Sequence, residues 1–429
     1  MITPNKENKR ALQYSSSAGF TKPQLIILGI LGFVAIFFSL GFLGVIDIFR
    51  DDIVKRDIKL EVWGVDGTKA WEQALAKYTD TSGYVVRYTR IDPDNYEKQL
   101  LDDLAAGTGP DIFMFHNTWL PKHTNKVVVV PAEKVSLSRL QTLFPSVVEQ
   151  DFVKNGEILA LPIYIDTLAI FYNRDVFNNK KIATIPTTWD ELKATILKTR
   201  EFKTAGGISK AGLSIGGTIR SVPNATDILS LLMLQFKTKM IASDGSKIVI
   251  ANDEGAQAVN FYTQFSNPKN PYYTWSDSFE SSIDSFTSKK TAMIFGYASE
   301  APEIKAKNPV LDFAAAPAPQ FNKGEAVNFA NYWGLAVSNK TKYPQEAWDF
   351  ITATTLDPAI AKQYTTITGK PPALRSLISE YSNSPTLGVF VAQALTAKSW
   401  PQPDNVAVRK VFNDMIESVV TGKLSVDKA

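Results

Sequence analysis

The spacing of apolar residues switches repeatedly between two periods along this chain. DIKLEVWG (residues 57–64) alternates Ile58, Leu60 and Val62 against polar neighbours, which predicts a half-buried strand. KAWEQALAKYTDTSG then places Trp71, Leu75 and Tyr78 at i, i+4 and i+7, one face of a helix that stops near Gly83. YVVRYTR (84–90) reads as a second strand, DNYEKQLLDDLAAG as a second amphipathic helix carrying Tyr96, Leu100 and Leu104, and GPDIFMFHN (109–117) as a third strand. This βαβαβ order predicts the start of a doubly wound, mostly parallel α/β sheet.

In such sheets the ligand crevice lies beyond the carboxyl ends of the strands. Here those ends hold Trp63 and Gly64 on one strand, and His116, Asn117, Thr118 and Trp119 on another. Further along, LPIYIDTLAIFYNRDVF (161–177) leads to Thr188 and Glu191, spaced as a capping box at the start of a helix. A second α/β unit follows, with apolar helices at DILSLLMLQF (227–236) and AVNFYTQF (258–265). TAMIFGYAS is read as a strand ending at Gly296, AAAPAPQ (314–320) as a connector, and NYWGLAVS (331–338) as a further strand. The remainder is predicted helical, broken at GKPPALRS (369–376).

Before all of this lies a different pattern. Residues 24–46 carry no charge, and a helix of that length spans roughly 34 Å, enough for a bilayer. Lys6, Lys9, Arg10 and Lys22 against Glu7 make the preceding tail basic, which puts it on the cytoplasmic side. The expected organisation is a cytoplasmic tail (1–23), an uncleaved signal anchor (24–46), a juxtamembrane linker (47–56) and an extracellular or periplasmic ectodomain. Cleavage after the Ser39-Leu40-Gly41 stretch is the alternative. Cysteine is absent, which removes disulfides, thiolate nucleophiles and any lipid-bearing cysteine. Beyond the tail the basic and acidic residues balance, which argues against nucleic acid as partner and suits an uncharged ligand.

Several segments, taken in order, resemble the bacterial extracellular solute-binding proteins of family 1, the oligosaccharide- and maltose-binding receptors of ABC importers. They are AAGTGPDIFMF (105–115), LPIYIDTLAIFYNRDVF with PTTWDEL, KKTAMIFGYASE, NYWGLAVSNKTKYPQEAWDFI and TGKPPALRS. The resemblance implies a two-lobe periplasmic-binding-protein-like fold (type II) that closes on a ligand. The N-lobe would hold 57–163 and 302–336, and the C-lobe 164–301 and 337–424. It implies a monomer without cofactor or metal, serving a membrane permease and a separate ATPase. Asp166 matches the family's cleft acid, and Tyr297 stands where the family often carries Trp. A sugar needs flat rings for its C–H face and carboxylates or amides for its hydroxyls. Trp63, Trp119, Tyr297 and Trp333 are the candidate platforms, and Asp166, Asn117 and Asn331 the candidate polar partners.

A membrane-anchored glycoside or ester hydrolase is the alternative. Gly212-Leu213-Ser214-Ile215-Gly216 fits G-x-S-x-G, but both histidines, His116 and His123, precede it, whereas the general base follows Ser in α/β-hydrolases. Seven residues apart and without cysteine, the two histidines also make a poor zinc pair. No G-x-x-x-x-G-K-[ST] run marks an ATPase.

Overall fold

The computed structural model describes residues 22–42, 58–242, 247–322 and 324–429. Lys22–Phe42 forms a helix of 21 residues by itself, and Ile26, Ile27, Ile30, Leu31 and Phe33 are exposed on it. Among the described residues no helix is long and apolar enough to cross a membrane. The expected tail and the linker at 47–56 lie outside the described residues, apart from Lys22 and Pro23.

The rest of the chain builds two large hydrophobic cores. In the first, the strands Val85–Arg90, Lys59–Gly64 and Ile112–His116 run parallel, with Val62 opposite Ile112. Trp333–Ser338 adds antiparallel to Ile112–His116, setting Trp333 opposite His116, and Val127–Val128 and Leu161–Pro162 pair with it in turn. The helix Pro93–Ala106 shows how locally this is specified. Pro93 occupies its first turn, Asp92 accepts the Asp94 N–H at 3.0 Å, and Gly107 ends it in the left-handed region at φ 76°. Its Tyr96, Leu100 and Leu104 are buried against the sheet.

The second core surrounds a three-stranded antiparallel sheet in which Ala169–Asn173 lies between Met293–Gly296 and Phe313–Ala316. The helix Trp189–Thr199 opens on the capping box: Glu191 N–H donates to Thr188 Oγ1 at 3.2 Å, and Thr188 N–H donates back to Glu191 Oε2 at 3.1 Å. Helices Ala225–Gln235, Asp253–Thr263 and Asn405–Val420 pack on this core.

A small sheet marks where the chain passes from one core to the other. Asp166–Thr167 pairs antiparallel with Asn328–Asn331, which pairs parallel with Ala397–Lys398. Along each strand the buried neighbours change core: Ile165 to Leu168, Phe329 to Ala330, and Ala397 to Trp400. The chain therefore crosses three times. This differs from the expected boundaries in two places. Residues 313–318 belong with the second core, because Phe313–Ala316 bonds the edge of Ala169–Asn173. Residues 347–378 belong with the first, because Ala347, Trp348, Phe350 and Ile351 pack beneath the sheet that Trp333–Ser338 has just entered.

Candidate functional site

Between the cores lies a cavity of about 330 Å³, at the lower end of the range for small-molecule sites. The end of the strand Ile112–His116 contributes His116, Asn117 and Thr118, and the crossing strand contributes Asn331. The helix Ala225–Gln235 brings Asp227 and Ser230 from the second core. Asn405, Val408, Arg409 and Phe412 lie along one face of the helix Asn405–Val420, at i, i+3, i+4 and i+7. Tyr297 follows Gly296, where an added Cβ would meet Glu300 Oε2 at 2.6 Å and the Phe171 ring at 2.9 Å, so a larger residue would have to displace one of these side chains.

Hydrogen bonds join the walls. Tyr297 donates its hydroxyl to Asp227 Oδ2 at 2.6 Å, and Asn331 Nδ2 donates to the same oxygen at 3.3 Å. Asn331 Oδ1 faces His116 Nε2 at 3.0 Å. Burial pushes the Asp227 carboxyl above the usual range, against the lowering effect of Tyr297, Asn331 and the Arg409 charge. It pushes His116 down to about 4, so the ring is neutral near pH 7.

Behind the wall sit two further carboxyls. Asp151 is buried against Ser399 and Asn117, and Glu300 accepts from Asn224 Nδ2 at 3.0 Å and from Tyr297 N–H at 3.1 Å. Burial raises each to about 7.

Of the seven residues singled out in the sequence, Asn117, Tyr297 and Asn331 line the cavity. The Asn117 amide is already used, since Nδ2 donates to Asp151 at 3.2 Å and to the Ala330 carbonyl at 3.3 Å, and Oδ1 accepts from Tyr332 N–H at 3.4 Å. Asp166 is 2% exposed and lies outside the lining; its oxygens accept the backbone N–H groups of Thr167, Ala298 and Ser299. Trp119 is buried against Tyr96, Phe115, His123 and Trp333, with Nε1 donating to Asn405 Oδ1 at 3.3 Å. Trp63 and Trp333 are half-buried against the first core and do not line the cavity. The indole platforms expected from the strand tips thus pack the first lobe beside the cavity, because Tyr96 and His116 fill the space between them.

The cavity residues that the sequence reading did not single out as ligand contacts include Asp227, Gln402 and Arg409. Gln402 is the most informative. It is 8% exposed, its backbone N–H is held by the Thr118 carbonyl at 3.2 Å, and it lines the cavity without a side-chain hydrogen bond among the described residues. An amide that lines a cavity and bonds nothing within the protein is free to pair with a ligand.

A second polar cluster lies where the first strand ends. Asp66 is bonded by Lys370 Nζ and by the Tyr364 hydroxyl, and Lys370 stands 4.2 Å above the Tyr164 ring. Its charges are paired within the protein. Ser214, the serine of the G-x-S-x-G run, is fully buried in the second core and its hydroxyl has no partner, so no base activates it. His123 bonds Glu97 at 2.7 Å and is buried under Trp119. The sequence feature behind the hydrolase alternative is therefore a packing serine. Among the described residues no three His, Cys, Asp or Glu side chains group as a metal site.

A profile of the bacterial extracellular solute-binding proteins matches residues 73–388. The chain belongs to that family. A binding protein of Brucella abortus is 22% identical over 272 residues, which is 63% of this chain; the chain spans 64% of that relative's length. Among solved structures, the sugar-binding protein of Xanthomonas citri is similar with a TM-score of 0.73 at 19% identity, over 86% of this chain and 93% of that one. The cyclic alpha-maltosyl-1,6-maltose binding protein of Arthrobacter globiformis is similar with a TM-score of 0.71 at 20% identity, over 87% and 96%. These likenesses establish the two-lobe α/β fold of this solute-binding protein, with the cavity at the junction of its lobes.

Proposed function

We propose that this chain is the extracytoplasmic receptor of an ABC importer for an uncharged polyhydroxylated solute, a sugar or short oligosaccharide held between the lobes. The observation that carries this is the wall of the cavity between the cores, where amides and hydroxyls that both donate and accept converge with Gln402 among them. Asn224, Asn331, Asn405, Thr118, Thr226 and Ser230 offer amides and hydroxyls, groups that donate to and accept from sugar hydroxyls. Asp227 and Arg409 supply one charge of each sign, so an uncharged solute leaves the cavity balanced. The sugar-binding names of the structural neighbours support the same class.

In this reading Gln402, Asp227, Arg409, Asn331 and Tyr297 touch the solute, while Asp166 and Asn117 hold the frame around it. Trp63, Trp119 and Trp333 stiffen the first lobe beside the cavity. A solute touching both lobes favours the closed form by its differential affinity for that form, and the permease reads the closure. The charge-free run at 24–46 is the sequence support for a single-pass anchor that keeps the receptor at the cell surface. No covalent step is involved.

Thermal denaturation of the purified protein against mono-, di- and oligosaccharides, polyols, amino acids and peptides tests the proposal. A saturable rise in melting temperature with a sugar is expected. A rise with amino acids or peptides and with no sugar sinks it.

A further inference from the structure

We propose that His116 is a positioning residue that decides which end of the Asn331 carboxamide faces Asp227, and with it which oxygen of Asp227 a solute can reach. The inference rests on reading the cavity as the solute site. Its own argument is a chain of hydrogen bonds running from the first lobe to the second.

The chain begins with a donor that cannot change roles. The backbone N–H of Thr118 points at His116 Nδ1 at 3.3 Å, and the Thr118 hydroxyl lies 2.7 Å from the same nitrogen. Nδ1 is therefore the acceptor of the ring. A neutral imidazole with an accepting Nδ1 carries its proton on Nε2. That proton is directed at Asn331 Oδ1, 3.0 Å away. With Oδ1 so engaged, Asn331 turns Nδ2 toward Asp227 Oδ2 at 3.3 Å, where the Tyr297 hydroxyl already donates at 2.6 Å. Both donors converge on Oδ2, which leaves Oδ1 outside the chain of bonds.

Reversing the first link reverses the last. With the proton on Nδ1, Nε2 would need a donor from Asn331, the carboxamide would flip, and its carbonyl oxygen would face the Asp227 carboxylate. Two acceptors in contact repel unless Asp227 takes up a proton. The imidazole tautomer in the first lobe is thus coupled to the charge of a carboxyl in the second. Around the ring are Trp333 at 4.7 Å and Trp119 at 6.4 Å, with the Glu97 charge acting on it from a distance. Around Asp227 are Tyr297, Asn331, Thr226 and the Arg409 charge.

The test uses the full chain without added solute, so its failure is separate from failure of the sugar-binding reading. Imidazole nitrogen resonances should show His116 protonated on Nε2 from about pH 5.5 to 8. The Asp227 carboxyl carbon should titrate about one pH unit higher in His116→Leu, which cannot donate to Asn331. It should be unchanged in His116→Gln, whose amide nitrogen can replace the Nε2 donor. A proton on Nδ1 overturns the proposal. So does the same Asp227 midpoint in His116→Leu as in the wild type, or a His116→Gln protein shifted as far as His116→Leu. The tautomer measurement needs no variant, so it stays decisive if His116→Leu does not fold.

Discussion

Asp166 Oδ2 accepts the backbone N–H of Ser299 at 3.0 Å, while Oδ1 accepts those of Ala298 and Thr167 at 2.9 Å. The acid in the crossing strand thereby clamps the loop that carries Tyr297. Its role at this joint is to fasten the crossing segment to the second lobe.

Asp166→Ala is expected to leave the Ala298 and Ser299 N–H groups buried without acceptors and to cost about 2–3 kcal/mol of stability. Urea denaturation measures it. A midpoint equal to the wild type would show that the clamp contributes nothing.

Gln402→Leu should act in the opposite sense on stability and binding. The variant removes an amide that makes no hydrogen bond in the free protein, so its melting temperature should hold or rise. Affinity for any sugar that binds the wild type should fall about tenfold, or ~1.4 kcal/mol, by titration calorimetry. Unchanged affinity would remove Gln402 from the site.

Asp151 gives a pH dependence whose sign is fixed. Its folded value of about 7 lies above the unfolded carboxyl range, so between about pH 4 and 7 the folded state holds a proton that the unfolded chain has released. Its contribution is intact below that window and is lost as pH rises through it, with a slope of up to about 1.4 kcal/mol per pH unit. Stability measured against pH should fall across the window in the wild type and fall less steeply in Asp151→Asn, where Glu300, also raised to about 7, still gives up a proton over it. Parallel curves would contradict the assignment.

Ser214→Ala deletes a hydroxyl that is fully buried and unpaired. The variant should be as stable as the wild type or more so, by up to about 1 kcal/mol. A loss beyond that in thermal melts would reveal a partner for the hydroxyl.

Local patterns were legible in the sequence where a single element decides them. The alternation at Ile58, Leu60 and Val62 and the capping pair Thr188 and Glu191 became the strand and the helix start that they predict. The cavity was harder to read, because its wall is assembled from segments far apart in the chain. Asp227 looked like a single polar residue at the edge of an apolar helix, and only the approach of Tyr297 and Asn331 from distant segments gives it partners. Arg409 is an exposed residue at the edge of the helix face buried through Val408, Phe412 and Ile416, so amphipathicity alone marks it as a solvated residue. The tryptophans misled for a related reason. Strand ends face the crevice, yet Trp119 turns back over Tyr96 and His123 and fills the lobe instead.

The helix Asn405–Val420 has a bearing on biosynthesis. The parallel strands that open the first lobe can pair early as the polypeptide leaves the ribosome, but their neighbour Trp333–Ser338 and the wall carrying Asn405 and Arg409 are translated much later. Competence to capture a solute is then the last property the protein acquires.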